Sequence, residues 1–166
     1  CGHLNDKTLI PADEMCHKIR VARASVCDSD FVIIARTDAI AVEGFDQAIA
    51  RAIAYQKAGA DMIFVEAPET LEQIEMIAKK ISGLKLINMF HGGKTPIVPV
   101  ATLEKWGYSV VIIPSDLQRA AIKAMQTTLH VIYENGNSEK ISSQLTSFKE
   151  REKIVGTEKY FEIDKI

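Results

Sequence analysis

The sequence predicts an α/β fold built on a parallel sheet, and three observations carry that expectation. Four short apolar runs, 31–35, 62–65, 84–87 and 110–113, are rich in Val, Ile, Leu or Phe and show no polar alternation. Strands buried on both faces have this pattern, as in parallel sheets. Helical periodicities separate the runs, so β and α elements alternate, and alternation forces right-handed crossovers and parallel pairing. The first three runs end on their C-terminal side in a polar residue, Arg36, Glu66 and Asn88 respectively.

Each element has its own local signal. Before the first strand, residues 14–26 have helical character, with Pro11 near the entry. Between 46 and 57, Ile49, Ala52 and Ile53 fall on one helix face, and Gly59 follows as a natural stop. Thr70 with Gln73 forms a capping box, after which Leu71, Ile74, Ile77, Ala78 and Ile81 build a stripe that Gly83 ends. A loop at 91–99 holds Gly92, Gly93, Pro96 and Pro99. Residues 117–134 form a long helix stopped by Gly136, and Ser147 with Glu150 makes a second capping box for a last helix.

Four such strands make either a small open sheet or half of an eight-stranded (β/α)₈ TIM barrel, which needs about 250 residues against the 166 present. The strand ends favour the barrel. Alternation puts Val32, Ile34 and Arg36 on one face, Met62, Phe64 and Glu66 on one face, and Leu84, Leu86 and Asn88 on one face. Apolar layers with a polar group at the top of each strand describe a barrel with its site at the C-terminal mouth. An apolar strand would then end in a cation because Arg36 points into a mouth that receives an anion, while Asp38 orients a neighbour.

Composition excludes several classes. The net charge of −2 gives no basic excess for nucleic acid, and no charge block marks a disordered tail. No apolar run reaches the roughly 18 residues that span a membrane. No signal peptide is apparent, although the chain starts at Cys1 without a methionine. Three cysteines, Cys1, Cys16 and Cys27, make an odd number without framework spacing, which points to a reducing compartment, the cytoplasm. Metal-finger spacing is absent and the four histidines, His3, His17, His91 and His130, are scattered. Cys16, Cys27, His17 and His130 lie on helical patterns or at their ends and read as structural, and Trp106 as a packing residue.

The strand-end residues each have a chemical and a structural reading. Arg36 suits a carboxylate or phosphate, which its planar fork binds bidentately, or else it pairs with Asp38. Glu66 accepts a substrate hydroxyl proton or orients a metal-bound water, or else it is a buried partner for Arg36. Asn88 donates to an oxyanion, or else it starts the turn before the Gly-rich loop. Cys1-Gly2-His3 places a thiol near an imidazole, a tunable acid or base, though a terminal tripeptide is usually disordered. His91-Gly92-Gly93 is an anion-binding loop or a turn.

Taken together, CGHLNDK, FVIIARTDAIAVEGFDQAIARAIAYQKAGADMIFVEAP and INMFHGGKTP resemble the isocitrate lyase/phosphoenolpyruvate mutase superfamily, over the whole chain and in order. The resemblance implies a (β/α)₈ barrel, commonly a tetramer with a C-terminal helix swapped between subunits. It places residues 1–166 at the second half of a single barrel domain, strands five to eight, with 137–166 as the exchanged terminal helices. Family likeness gives Cys1 as the acid/base cysteine, Gly2 and His3 as its carboxylate-binding companions, and Arg36 as the carboxylate-binding arginine. Glu66 and Asn88 match substrate-contacting positions, and Arg119 in PSDLQRA matches a further substrate-side arginine. Mg²⁺ is implied as cofactor, its ligands on the first half, which this sequence does not contain; the basic residues that precede the family's C-G-H are also absent.

The activity implied is Mg²⁺-dependent cleavage of a carbon–carbon bond in a small 2-hydroxy or 2-oxo dicarboxylate, of the substituted malate, methylisocitrate or oxaloacetate type. Electrons flow into an enolate and the cysteine protonates the departing carbon. Where methylisocitrate lyases carry an arginine for a third carboxylate, this chain has Phe148, and His91 replaces a glutamate of N-M-x-E-G-G-x-T-P relatives. Both differences, with the double glycine at Gly92 and Gly93, favour a smaller dicarboxylate. A phosphonomutase or phosphonopyruvate-type enzyme, carboxyphosphonoenolpyruvate mutase-like, is the alternative, and a non-catalytic barrel fragment the second. The expected partners are a small carboxylate substrate and further copies of the chain.

Overall fold

A computed structural model describes residues 7–163. The chain forms two compact units, the first ending at Asp116 and the second beginning at Leu117.

The first unit contains α1 (Ala12–Ser25), β1 (Ile34–Thr37), α2 (Ile40–Glu43), α3 (Phe45–Lys57), β2 (Met62–Val65), α4 (Leu71–Lys80), β3 (Leu84–Asn88), α5 (Val100–Lys105) and β4 (Val110–Ile112). The strands form one sheet in the order of the chain, and every pair is parallel, as the alternating pattern predicted. The first strand is displaced from its expected span. Phe31 and Val32 are 58% and 48% exposed, and the ladder starts only where the Ile33 carbonyl accepts the N–H groups of Asp61 and Met62. Hydrophobicity marked the run, but the register of the partner strand sets where pairing begins. α2 and α5 were not foreseen; each is too short to show a periodicity.

The sheet has two unlike faces. On one, Ala35, Ile63, Val65 and Ile87 pack with Cys16 and Ile19 of α1, Ala48, Ile49 and Ala52 of α3, Ile74 and Ile77 of α4 and Leu103 of α5. On the other, Met62, Phe64 and Leu86 make a small second cluster. Around it Ile34, Leu84, Val110 and Ile112 stay between 36% and 47% exposed. Their register rows put all seven side chains on one side. Trp106 packs against the larger core, as expected.

Two boundary signals show how local chemistry sets the frame. The Thr70 hydroxyl accepts the Gln73 N–H at 3.2 Å, but the Gln73 side chain reaches Glu69 N–H at 2.7 Å, one residue earlier than a strict capping box. Gly59 ends α3 at φ +111°, and a Cβ there would meet Arg23 Cγ at 3.3 Å.

In the second unit, α6 (Asp116–Asn135, entering from the last residue of the first unit) is followed by a 3₁₀ segment (Glu139–Gln144), α7 (Phe148–Val155) and α8 (Thr157–Ile163). The long sixth helix thus lies in the same unit as the terminal helices. Ser147 caps α7 by accepting the Glu150 N–H at 3.2 Å. Many apolar residues of this unit are exposed, among them Met125, Leu129, Phe148, Ile154, Tyr160 and Phe161. No helix among the described residues is long and apolar enough to cross a membrane.

Candidate active site

The polar residues of the first unit gather at the C-terminal ends of its strands, and register explains their placement. Arg36 pairs in the ladder with Phe64, and Phe64 with Leu86, so these three side chains stand in one row on the open face. The Arg36 guanidinium lies 5.1 Å from the centre of the Phe64 ring, within cation–π range. Two residues further along β2 and β3 the same face presents Glu66 and Asn88. The Glu66 N–H donates to the Thr37 carbonyl at 2.9 Å, extending the ladder by one bond.

Charges are close-set here. Arg36 Nε donates to Asp38 Oδ1 at 2.6 Å and Nη2 donates to Asp38 Oδ2 at 3.1 Å. The same Nη2 lies 3.6 Å from Glu66 Oε1, an ion pair too long for a hydrogen bond. Lys7 Nζ donates to Asp38 Oδ2 at 2.6 Å. Burial pushes the Asp38 carboxyl up, but the hydrogen bonds from Arg36 and Lys7 outweigh it and hold it down at about 2. The hydrogen bond to Asp38 in turn raises the Arg36 pKa above its ordinary value.

Two oxygens stand out against this pairing. Glu66 is 3% exposed, and its Oε2 has no hydrogen-bond partner among the described residues. Asn88 Oδ1 is likewise buried without one. Native interiors rarely leave such acceptors unmet, so both are poised for a donor that the described residues do not supply. Ser115, just beyond β4, has a buried hydroxyl in the same condition and a backbone φ of +62°. Ala67, directly after Glu66, sits at φ +55°. Non-glycine residues there carry strain that the surrounding structure must hold, and such strain clusters at functional sites.

Of the residues singled out from the sequence, Arg36 and Glu66 are brought into contact, and Asn88 lies on the adjoining strand end. Arg36 pairs with Asp38, the structural alternative, and its side chain stands on the open face of the sheet. Arg119 lies on α6 in the second unit, exposed. Cys1, Gly2 and His3 lie outside the described residues. His91 is exposed in the loop after β3. Lys7 and Ser115 were missed. Lys7 stood in the CGHLNDK stretch, where spacing alone could not tie it to Asp38; the unmet hydroxyl and left-handed backbone of Ser115 have no sequence signal.

No three His, Cys, Asp or Glu side chains among the described residues group as metal ligands. The strand ends offer one carboxylate and one amide oxygen, with a guanidinium 3.6 Å from the former. This donor set does not by itself fit a Mg²⁺ ion, which binds through carboxylates and water in a near-octahedral shell.

A parallel α/β sheet with its polar residues at the strand C-termini is the frame on which the comparisons fall. The family model for phosphoenolpyruvate phosphomutase matches residues 2–133. The chain is 36% identical over 164 residues to the 2,3-dimethylmalate lyase of Eubacterium barkeri, covering 99% of this chain and 57% of that protein. It superposes with a TM-score of 0.87 on oxaloacetate acetylhydrolase in complex with the inhibitor 3,3-difluorooxalacetate, at 28% identity, covering 99% of this chain and 56% of the other. A phosphonopyruvate hydrolase in complex with oxalate and Mg²⁺ gives a TM-score of 0.80 at 27% identity, covering 98% and 59%. The chain belongs to the isocitrate lyase/phosphoenolpyruvate mutase superfamily. It spans little more than half the length of these relatives.

Proposed function

We propose that this chain supplies strands five to eight of a (β/α)₈ barrel, and that the complete protein cleaves a carbon–carbon bond in a small 2-hydroxy or 2-oxo dicarboxylate. The observation that carries the reading is Glu66: a carboxylate 97% buried at a strand end, with one oxygen unmet and a guanidinium beside it. A purely structural acid would satisfy both oxygens. The open sheet face with Ile34, Leu84, Val110 and Ile112 half-exposed supports the half-barrel, since a second set of strands would close over it.

In this reading Arg36 takes the substrate carboxylate with the guanidinium edge that Asp38 does not occupy. Glu66 accepts the hydroxyl proton through Oε2, the electron pair of that O–H bond becomes the carbonyl π bond, and the adjacent C–C bond breaks toward the second fragment as an enolate. Asn88 orients the substrate oxygen, and Cys1 returns a proton to the enolate carbon, with Gly2 and His3 beside it. Arg119 matches a further substrate-side arginine by family likeness. Mg²⁺ would be held by residues beyond this sequence, and no step above is routed through it. The terminal helices, rich in exposed apolar side chains, would be exchanged between subunits of a tetramer.

Phosphorus–carbon chemistry is the second reading, favoured by the phosphoenolpyruvate phosphomutase match and the phosphonopyruvate hydrolase likeness. The full-length protein with Mg²⁺ is to be offered substituted malates, methylisocitrate, oxaloacetate and phosphonopyruvate, with 2-oxo acid, oxalate and phosphate measured. Release of a 2-oxo acid or oxalate from a dicarboxylate is expected. Phosphate from phosphonopyruvate alone would move the assignment to the second reading, and no turnover of any would leave the barrel without chemistry.

A further inference from the structure

A guanidinium that receives an anion has to be held in one plane, and hydrogen bonds along a single edge do not do this. Arg36 Nε and Nη2 donate to the two Asp38 oxygens at 2.6 and 3.1 Å. That grip fixes the edge but leaves the plane free to tilt about it. The second restraint comes from the neighbouring strand. Arg36 pairs in register with Phe64, and both side chains stand on the open face of the sheet. The guanidinium carbon lies over the Phe64 ring, 5.1 Å from its centre. Nη1 has no hydrogen-bond partner among the described residues.

The ring is itself firmly seated. Phe64 is 8% exposed and packs with Met62, two residues earlier on β2, and with Leu86, its partner in the ladder to β3. Both neighbours are aliphatic, so filling space on this face does not call for an aromatic ring. What a ring adds is a negative face toward a cation, and arginine is the cation that such faces hold best. The Arg36 side chain stays 41% exposed, so the ring covers part of the guanidinium and leaves the rest open to a ligand.

We propose that Phe64 is a positioning residue for Arg36: its ring carries the guanidinium and, with Asp38 on the edge, sets the plane in which Nη1 is presented to an anion. That the anion is a substrate carboxylate rests on the lyase reading; the support of the guanidinium does not. Phe64 acts through Arg36 and takes no part in making or breaking bonds. Its effect is on populations, because apparent affinity falls with the fraction of the protein whose arginine is correctly aimed. A partly exposed cation–π contact shifts such a fraction about two- to fivefold.

The test uses the full-length protein with Mg²⁺ and takes oxalate as the anionic probe, its affinity read by isothermal titration calorimetry. Phe64 is replaced by its singly and triply ring-fluorinated analogues, which nearly keep the shape of the ring and progressively drain its face of negative charge. Phe64→Leu, which removes the ring, is measured beside them. The triply fluorinated ring and Phe64→Leu should each weaken oxalate about two- to fivefold, with the singly fluorinated ring in between. Urea midpoints should not follow that order, since Phe64→Leu alone loses core volume. Equal affinity across the fluorinated series overturns the proposal, whatever Phe64→Leu does, and so does a weakening that tracks the urea midpoint instead of the fluorine count. A wild type that does not bind oxalate overturns it as well, because Arg36 then takes no carboxylate. Kinetics separate the proposal from the lyase reading. If the wild type turns over a dicarboxylate, Phe64→Leu should raise KM by the same factor with kcat held within about twofold, and a loss confined to kcat overturns the positioning role. If the wild type binds oxalate but turns over no dicarboxylate, the lyase reading falls and the fluorinated series still decides the role of Phe64.

Discussion

Glu66→Met distinguishes a reacting carboxylate from a structural ion-pair partner, because the two make opposite predictions for stability. The pair with Arg36 is 3.6 Å long. At an effective dielectric near 20 that distance is worth about 5 kcal/mol of gross Coulomb energy. The Arg36 side chain is 41% exposed, so solvent screens the pair, and its net worth falls toward about 1 kcal/mol. Against this stands the cost of burying Glu66 to 3% exposure with Oε2 unmet, about 1–3 kcal/mol. Methionine has nearly the same length and would sit on the face shared by Met62, Phe64 and Leu86. Arg36 keeps Asp38 and is not left uncompensated. Glu66→Met should therefore leave the protein as stable as before, or more stable by about 1 kcal/mol, while turnover falls about a hundredfold or more. Urea unfolding of the full-length protein, followed by far-UV circular dichroism, gives the first quantity and a substrate assay the second. A loss of stability above about 2 kcal/mol would show that Glu66 exists to hold Arg36, and the chemical role assigned to it would go.

Three other outcomes follow from particular contacts. Asp38 titrates at about 2 in the fold against 3.8 for the free side chain. A depressed carboxyl pKa contributes stability that is complete above the unfolded value and is lost as pH falls through the folded one. Acid unfolding should thus steepen between about pH 4 and pH 2, and Asp38→Asn should flatten that interval; an unchanged profile would mean that the Arg36 and Lys7 hydrogen bonds do not persist in solution. Lys85, 6% exposed, gives its ammonium to the Ile81 and Gly83 carbonyls at 3.1 and 2.8 Å, and burial lowers its pKa. Lys85→Met should destabilise by about 1–3 kcal/mol in urea titration, since it strips the end of α4 of its cap. Thr70→Ala removes the hydroxyl that accepts Gln73 N–H and should cost about 1 kcal/mol by the same measurement.

Long-range order was legible where one physical force dominated. β2 was found to the residue because burial on both faces leaves an uninterrupted apolar run. β1 was misplaced because Phe31 and Val32 are apolar for a reason other than pairing, and only the partner's register places the start at Ile34. The capping residues Thr70 and Ser147 acted as read, since a cap depends on three neighbouring residues alone. The candidate site was half legible. Strand alternation put Arg36, Glu66 and Asn88 on one face, but the Lys7–Asp38 pair bridges 31 positions, and no periodicity carries such a contact. Lys85 shows the converse: a cation inside an apolar strand, it is spent on the Ile81 and Gly83 carbonyls after α4, contacts that no strand pattern announces.

The strained residues complete the argument for where function lies. Among the described residues, Ala67 and Ser115 are the non-glycine positions with positive φ. Each stands just beyond the C-terminal end of a strand, Ala67 after β2 and Ser115 after β4. A left-handed alanine or serine costs about 1 kcal/mol that glycine would avoid. At Ala67 the turn follows Glu66 immediately and fixes how the buried carboxylate leaves the strand. At Ser115 the turn carries a hydroxyl without a hydrogen-bond partner among the described residues. The two strained turns and the unmet oxygens of Glu66, Asn88 and Ser115 all lie at the same end of the sheet, while its opposite end, where Ile34, Met62 and Leu84 begin their strands, has neither. Backbone strain and unspent hydrogen-bonding capacity are independent costs. Their coincidence at one edge of a parallel sheet is what a ligand site requires and what packing alone would have removed.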